Sequence, residues 1–143
     1  MLRLLGLVVV TVTVAGCGTV DCDDQTFTCA NEDRPRTLEY ITETILRPNC
    51  ANAQCHSALT QANTPGRSTT IHFDSIAGAQ QSIADNFLVT PGDPEASLLF
   101  IVLTRDTQPD GTFPRMPYDE PLPTNQIALI HEWINEGADG VLP

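Results

Sequence analysis

Two cysteines and a histidine stand close together near the middle of this 143-residue sequence: Cys50, Cys55 and His56. A pair of cysteines followed at once by a histidine is typical of covalent haem attachment, in which both thiols add to the haem vinyl groups and the histidine binds the iron. The usual motif has two residues between the cysteines, and this sequence has four. The two extra residues must bulge out between the attachment points, while the pair Cys55-His56 is intact.

The candidate for the second iron ligand is Met116. A low-spin haem that transfers electrons needs a ligand on its far face, and methionine there raises the reduction potential. The sequence has two methionines, of which one is the initiator. Met116 stands between Arg115 and Pro117 in a polar, proline-rich stretch, an unusual setting for a methionine that only fills a core. The alternatives are a second histidine, His72 or His131, and an iron that is left open or bound by water.

The first 16 residues predict a secretory signal rather than part of the fold. Arg3 supplies a positive charge, and the apolar run from Leu4 to Val14 is too short to span a bilayer as a stable helix. The run ends in Val14-Ala15-Gly16-Cys17, which is similar to the lipobox of bacterial lipoproteins, where the cysteine is acylated and becomes the first mature residue. Because Gly18 follows the cysteine, this similarity favours delivery of the protein to the outer membrane over retention at the inner membrane. The alternative is an ordinary signal peptide with an incidental Cys17.

Two further cysteines, Cys22 and Cys29, lie in the polar, acidic stretch 17–36, which we interpret as a tether between a lipid anchor and the folded domain. An exported chain enters an oxidising compartment, the periplasm in bacteria, where disulfides form. If Cys17 is acylated, four cysteines are left, and four can pair in three ways. If two of these four bind haem, Cys22 and Cys29 are left to form one structural disulfide.

The composition is strongly acidic. The formal net charge is −11, lysine is absent, and loss of Arg3 with the signal brings the charge to −12. This charge argues against nucleic-acid binding, which needs basic side chains at the phosphates, and against lying on anionic lipid headgroups. It suits docking to a basic redox partner, although solubility alone gives the same composition.

Residues 37–143 predict one domain of ordinary size that is mostly α-helical. We expect Thr37 to cap a first helix that Pro48 ends, directly before the haem motif. The segment Thr69 to Phe73 is rich in β-branched and aromatic residues and predicts a short strand, so the domain has at most one short strand pair.

Three more helices are expected further along the chain. Asp74 is expected to cap one of them, Asp93 the next, over 94–104, and Thr124 the last. The long, proline-rich segment 105–123 contains Met116, and a loop of this length is usually functional. The apolar residues at helical spacing, which we expect to be buried, are Leu38, Ile41, Ile45, Ile76, Ala79, Ile83, Leu98, Leu99, Ile101, Val102, Leu103, Ile127, Ile130, Trp133 and Ile134.

Taken together, five segments resemble the planctomycete-type cytochrome c domain of exported bacterial proteins, which is related to class I cytochromes c. They are the helix Leu38 to Ile45, the haem motif Cys50 to His56, the segments Val89 to Ser97 and Arg115 to Pro117, and the end of the last helix, Trp133 to Ala138. The resemblance covers about 37–143. It implies a helical fold around one covalent haem c, with His56 as proximal and Met116 as distal ligand. It also implies that the first and last helices cross and pack.

The function that these features predict is transfer of single electrons by a lipid-anchored periplasmic protein with one haem, not catalysis. One alternative is a haem-free exported lipoprotein with a structural or binding role, held by the disulfides Cys22–Cys29 and Cys50–Cys55. A haem sensor or a peroxidase-like protein is another.

The lipobox predicts the consequence of one substitution. The variant Cys17→Ser is expected to remain soluble in the periplasm, because the acyl chains attach to this cysteine. Fractionation of cells that express both proteins measures this, with the membrane fraction of the unaltered protein as reference. Continued partition of the variant into membranes would contradict the proposed lipidation.

Overall fold

The computed structural model describes residues 34–63, 70–105 and 115–141 of the chain. The expectations for the signal peptide, for Cys17, Cys22 and Cys29, and for most of the tether lie outside these residues. Within them the protein is mostly helical, as predicted, and contains no β-strand. None of the described helices is both long enough and apolar enough to cross a membrane.

The first helical run extends from Leu38 to Cys50. It consists of helix α1 (Leu38–Ile41), a π-helical stretch (Thr42–Leu46) and helix α2 (Arg47–Cys50). Thr37 caps the run as predicted, and its hydroxyl accepts a hydrogen bond of 3.2 Å from the Tyr40 amide. The prediction that Pro48 ends the helix is wrong. Pro48 lies in the first turn of α2, where its missing N–H is tolerated, and the run continues to Cys50.

The other helices are α3 (Ala58–Asn63), α4 (Ile76–Asp85), a 3₁₀ turn (Pro94–Ala96), α5 (Leu98–Thr104) and α6 (Thr124–Asn135). Asp93 caps the 3₁₀ turn as predicted, with its carboxylate 3.0 Å from the Ala96 amide. The helix expected over 94–104 is interrupted at Ser97. The hydroxyl of this fully buried residue accepts from the Thr90 amide at 2.9 Å and donates to the Asp93 carbonyl at 2.8 Å. These bonds hold Ser97 in an extended conformation.

Three further local predictions are wrong. The part of the expected strand that the structure describes, residues 70–73, forms no ladder, because its amides bond to His56 and to the Ser82 hydroxyl. Ser75 rather than Asp74 caps α4, with its hydroxyl 3.0 Å from the Gly78 amide. The residue before α6 is Pro123, and no side chain caps this helix.

One hydrophobic core joins the helical elements. Trp133 is fully buried, and its indole N–H donates to the Asp139 carbonyl at 3.0 Å. The same carbonyl accepts the Leu38 amide at 2.9 Å, so the first helical run begins against the turn that follows α6. Gly137 stands in that turn with φ +105, a conformation that glycine adopts readily after the end of a helix. The largest fully buried apolar side chains are Leu38, Ile41, Ile45, Leu46, Ile83, Leu129, Ile130, Trp133 and Ile134.

The polypeptide enters the domain at the same end. Arg36 pairs with Glu132 of α6 at 2.9 Å and with Glu136, the residue directly after α6, at 3.4 Å. From there the first helical run carries the chain about 18 Å, at 1.5 Å per residue, to Cys50. The cysteine motif therefore lies at the opposite end of this helical run from Arg36.

Two glycines give a matched test of the packing at Leu38. Gly140 and Gly92 both have positive φ, +88 and +81, so alanine is strained at either position. A Cβ at Gly140 would lie 2.9 Å from the Leu38 Cβ, whereas one at Gly92 would touch nothing. Gly92→Ala is expected to cost about 1 kcal/mol of unfolding free energy, and Gly140→Ala roughly 1–3 kcal/mol more. Urea denaturation of both variants measures this, and equal losses would contradict the packing described.

Candidate functional site

The residues that the sequence nominates for haem binding line one cavity of about 530 Å³. Cys50, Cys55, His56 and Met116 all contribute to its wall, although Met116 is far from the others in sequence. A volume of this size is in the ordinary range for cofactor and small-molecule sites. The remaining wall is formed by Pro48, Asn49, Asn52, Gln54, Thr60, Pro117, Tyr118, Asp119 and Glu120.

The longer spacing between the cysteines is accommodated by a compact turn. The Cys55 amide donates to the Asn52 carbonyl at 3.1 Å, and the Asn52 side chain accepts from the Gln54 amide at 3.0 Å. The Ala53 carbonyl accepts the Thr60 hydroxyl at 3.1 Å, which fixes the turn to α3. Asn52, Ala53 and Gln54 are exposed, so the additional residues lie at the surface.

The His56 amide closes this loop. It donates to the Cys50 carbonyl at 2.9 Å, and so brings together the two ends of the cysteine motif across the turn. Residues on both sides of the loop thereby reach the same cavity, with four residues between the cysteines.

The two cysteines are free thiols in different surroundings. Cys50 is half-buried and packs against the core, whereas Cys55 is exposed. Burial, with a smaller contribution from the neighbouring Cys55, raises the pKa of Cys50 to about 12. Cys50 is therefore a protonated thiol at neutral pH, and Cys55 is the more accessible sulfur.

Phe73 contacts both the backbone and the ring of His56. The Phe73 amide donates to the His56 carbonyl at 2.9 Å, and the two ring centroids are 5.7 Å apart. Burial lowers the pKa of His56, and the backbone of Ile71 has the smaller, opposite effect. Nδ1 of His56 is buried, and it has no hydrogen-bond partner among the described residues. A half-buried, neutral imidazole is the form that binds metals.

Met116 faces the same cavity from a separate segment. Its amide donates to the Val102 carbonyl at 2.7 Å, which anchors the segment to α5, and the Met116–Pro117 peptide bond is cis. Met116 is half-buried and is not among the core residues. Met116 therefore contributes to the cavity wall and does not fill the core.

The two competing histidines do not line the cavity. His72 lies with its Nδ1 3.3 Å from Asp74, and the ring of His131 contacts Phe100 edge-on at 5.2 Å. His131 is half-buried.

The cavity fits a covalent haem by the chemistry of its wall. Two thiols, an imidazole and a thioether are the groups that attach and ligate a c-type haem. The rim carries the carboxylates of Asp119 and Glu120, and none of the arginines that the structure describes lines the cavity. Within the described residues, no three histidine, cysteine or acidic side chains form a group that could hold a bare metal ion.

Sequence reasoning missed the residues that shape the cavity rather than bind in it. Thr60, Tyr118 and Asn52 belong to this class, and nothing in their types or spacing marks them. The proline-rich composition of 105–123 indicated only that the segment around Met116 is stiff and functional.

No protein-family model, no curated protein and no solved structure is matched by this chain. The resemblance to the planctomycete-type cytochrome c domain therefore remains an expectation from its motifs.

The unequal environments of the thiols predict selective alkylation in protein prepared without haem. At pH 8 only about one Cys50 thiol in ten thousand is ionised, because its pKa is about 12, and the sulfur is half-buried. Iodoacetamide is expected to modify Cys55 at least about tenfold faster than Cys50. Peptide mass spectrometry over time measures the two rates, with Cys55→Ser as control. Equal rates would contradict the burial of Cys50.

Proposed function

We propose that this protein is an exported, lipid-anchored c-type cytochrome with one haem, which passes single electrons between redox partners in the periplasm. The observation that carries the proposal is the meeting of Cys50, Cys55, His56 and Met116 at one cavity. Three of these residues come from one motif, whereas Met116 was nominated separately, as the only methionine besides the initiator.

Each residue has a distinct role in this proposal. Cys50 and Cys55 would hold the haem through thioether bonds, and His56 and Met116 would bind the iron. The haem supplies one-electron iron chemistry when bound. The thioether of Met116 would favour the reduced iron and so raise the potential.

The proposed partner is a basic redox protein. The acidic composition favours its approach, and Asp119 and Glu120 place negative charge at the rim of the cavity. Electrostatic attraction of this kind acts mainly on the association rate and weakens with ionic strength.

The presence of haem is the first test. Purified protein is expected to keep its absorption after extraction with acidified acetone, because thioether bonds retain the haem, and to show a sharp α-band on reduction. Cys55→Ser should weaken this retention more than Thr44→Ser, an exposed position outside the cavity. A colourless protein whose mass includes a Cys50–Cys55 disulfide would contradict the proposal and favour the haem-free lipoprotein.

The ligand role of Met116 is tested by Met116→Ala. Loss of the thioether is expected to lower the reduction potential by on the order of 100 mV, a modest part of the roughly 0.8 V that axial ligands span. Tyr118→Phe is the control, since it changes a neighbouring wall residue without a sulfur. Spectroelectrochemical titration measures both variants. An unchanged potential in Met116→Ala would remove Met116 from the ligands.

A further inference from the structure

A short extended segment of the chain makes hydrogen bonds to the haem motif and to the start of α3. We name residues 70–74 the backing segment. The Phe73 amide of this segment donates to the His56 carbonyl at 2.9 Å, and the Phe73 ring lies against the imidazole. One residue further on, the Asp74 carboxylate accepts the Ala58 amide at 3.0 Å. The backing segment therefore holds the chain both at His56 and two residues after it.

The second of these contacts depends on a single carboxylate. Oδ2 of Asp74 bonds to Ala58, and Oδ1 lies 3.3 Å from Nδ1 of His72. The hydrogen bond from Ala58 is the largest cause of a lowered pKa for Asp74, and His72 acts in the same direction. Asp74 is therefore an ionised acceptor, and such acceptors form the stronger hydrogen bonds.

Helix α4 fixes the backing segment in turn. The His72 amide donates to the Ser82 hydroxyl at 2.8 Å, and that hydroxyl donates back to the His72 carbonyl at 3.1 Å. The His72 ring lies so close to Gly78 that a Cβ there would come within 2.3 Å of Nδ1. Asp74 thus joins α3, which follows the haem motif, to a segment that is packed on α4.

We propose that Asp74 is a positioning residue for His56: its carboxylate docks the start of α3 on the backing segment and so fixes the direction of the imidazole in the cavity wall. The inference rests on the proposed function for its purpose, because an axial ligand needs a fixed direction. The contacts from which it is argued are all between residues of this chain and do not involve the haem. Without Asp74, the His56 backbone keeps its bonds to Cys50 and Phe73, but the start of α3 loses its bond to the backing segment. The imidazole of His56 can then move away from the Phe73 ring.

The chain offers a matched control for the substitution. Asp93 also accepts a backbone amide, that of Ala96, at 3.0 Å, and it is exposed and does not line the cavity. Asp93→Ala therefore removes a comparable carboxylate–amide bond elsewhere. Asp74→Asn keeps an oxygen that can accept the Ala58 amide.

The experiment compares the unaltered protein with Asp74→Ala, Asp74→Asn and Asp93→Ala by NMR in the reduced state. Asp74→Ala is expected to raise hydrogen exchange at the Ala58 amide about fivefold, the change that loss of a typical side-chain cap gives, and to weaken the Overhauser contact between the His56 and Phe73 rings. Asp74→Asn should restore most of both signals, and Asp93→Ala should leave both unchanged.

Three results would overturn the inference: an unchanged His56–Phe73 contact in Asp74→Ala, an equal effect of Asp93→Ala, or no rescue by Asp74→Asn. These readouts do not need haem. A colourless protein in which Asp74→Ala still displaces the imidazole would contradict the proposed function and leave the positioning role intact. In haem-containing protein, a change of reduction potential in Asp74→Ala but not in Asp93→Ala is also expected.

Discussion

The arrangement of the cavity depends on two backbone hydrogen bonds of His56. Its amide donates to Cys50, and its carbonyl accepts from Phe73. The first bond closes the turn between the cysteines, and the second joins that turn to a segment supported by α4. Each such bond contributes only about 1 kcal/mol net to the stability of the fold. Breaking one of them leaves a backbone group without a partner, and this costs more where the group is buried. The imidazole owes its place to these bonds and to the Phe73 ring.

The cavity lies beside the hydrophobic core and not within it. Cys50 is the residue at which the two meet, because it ends the first helical run and packs against the core while its sulfur reaches the cavity. Met116 lies on a separate segment, which is attached to α5 through Val102. The helices thus hold the segments that line the cavity, and short loops supply its chemistry. This division is common in proteins, since packing fixes helices more firmly than loops.

Much of the helical structure follows from the sequence, because its apolar residues recur at helical spacing. Most of them are buried or half-buried, but Ile76, which was expected to be buried, is exposed. The errors occur where side-chain hydrogen bonds compete with local preference. Residues 70–73 have strand-forming side chains, but Ser82 and His56 take their hydrogen bonds. Ser97 breaks a helix that its neighbours favour, because its buried hydroxyl binds two backbone groups. Patterns of single residues do not report such partners, which lie several residues away or on another element.

The residues of the candidate site also differ in whether the sequence predicts their role. Residue types and counts nominate Cys50, Cys55, His56 and Met116, since few side chains have their chemistry. The positioning role of Asp74 has no comparable signal, because aspartate before a helix normally indicates a cap of that helix. Here Ser75 caps α4, and Asp74 turns to the amide of α3. The partner of Asp74 is visible only in the structure.

The charge contacts of Arg36 have a mechanical consequence. They join the incoming polypeptide to Glu132 and Glu136, and the Leu38 amide bonds to the turn after α6 close by. Tension applied to the N-terminal side of the domain would first load α6 and the tightly packed interior around Trp133. The walls formed by the cysteine turn and the Met116 segment stand about 18 Å along the helical run from that point of strain. A pulling force on the chain at Arg36 would therefore act first on the fully buried core around Trp133, and only then on the cavity walls.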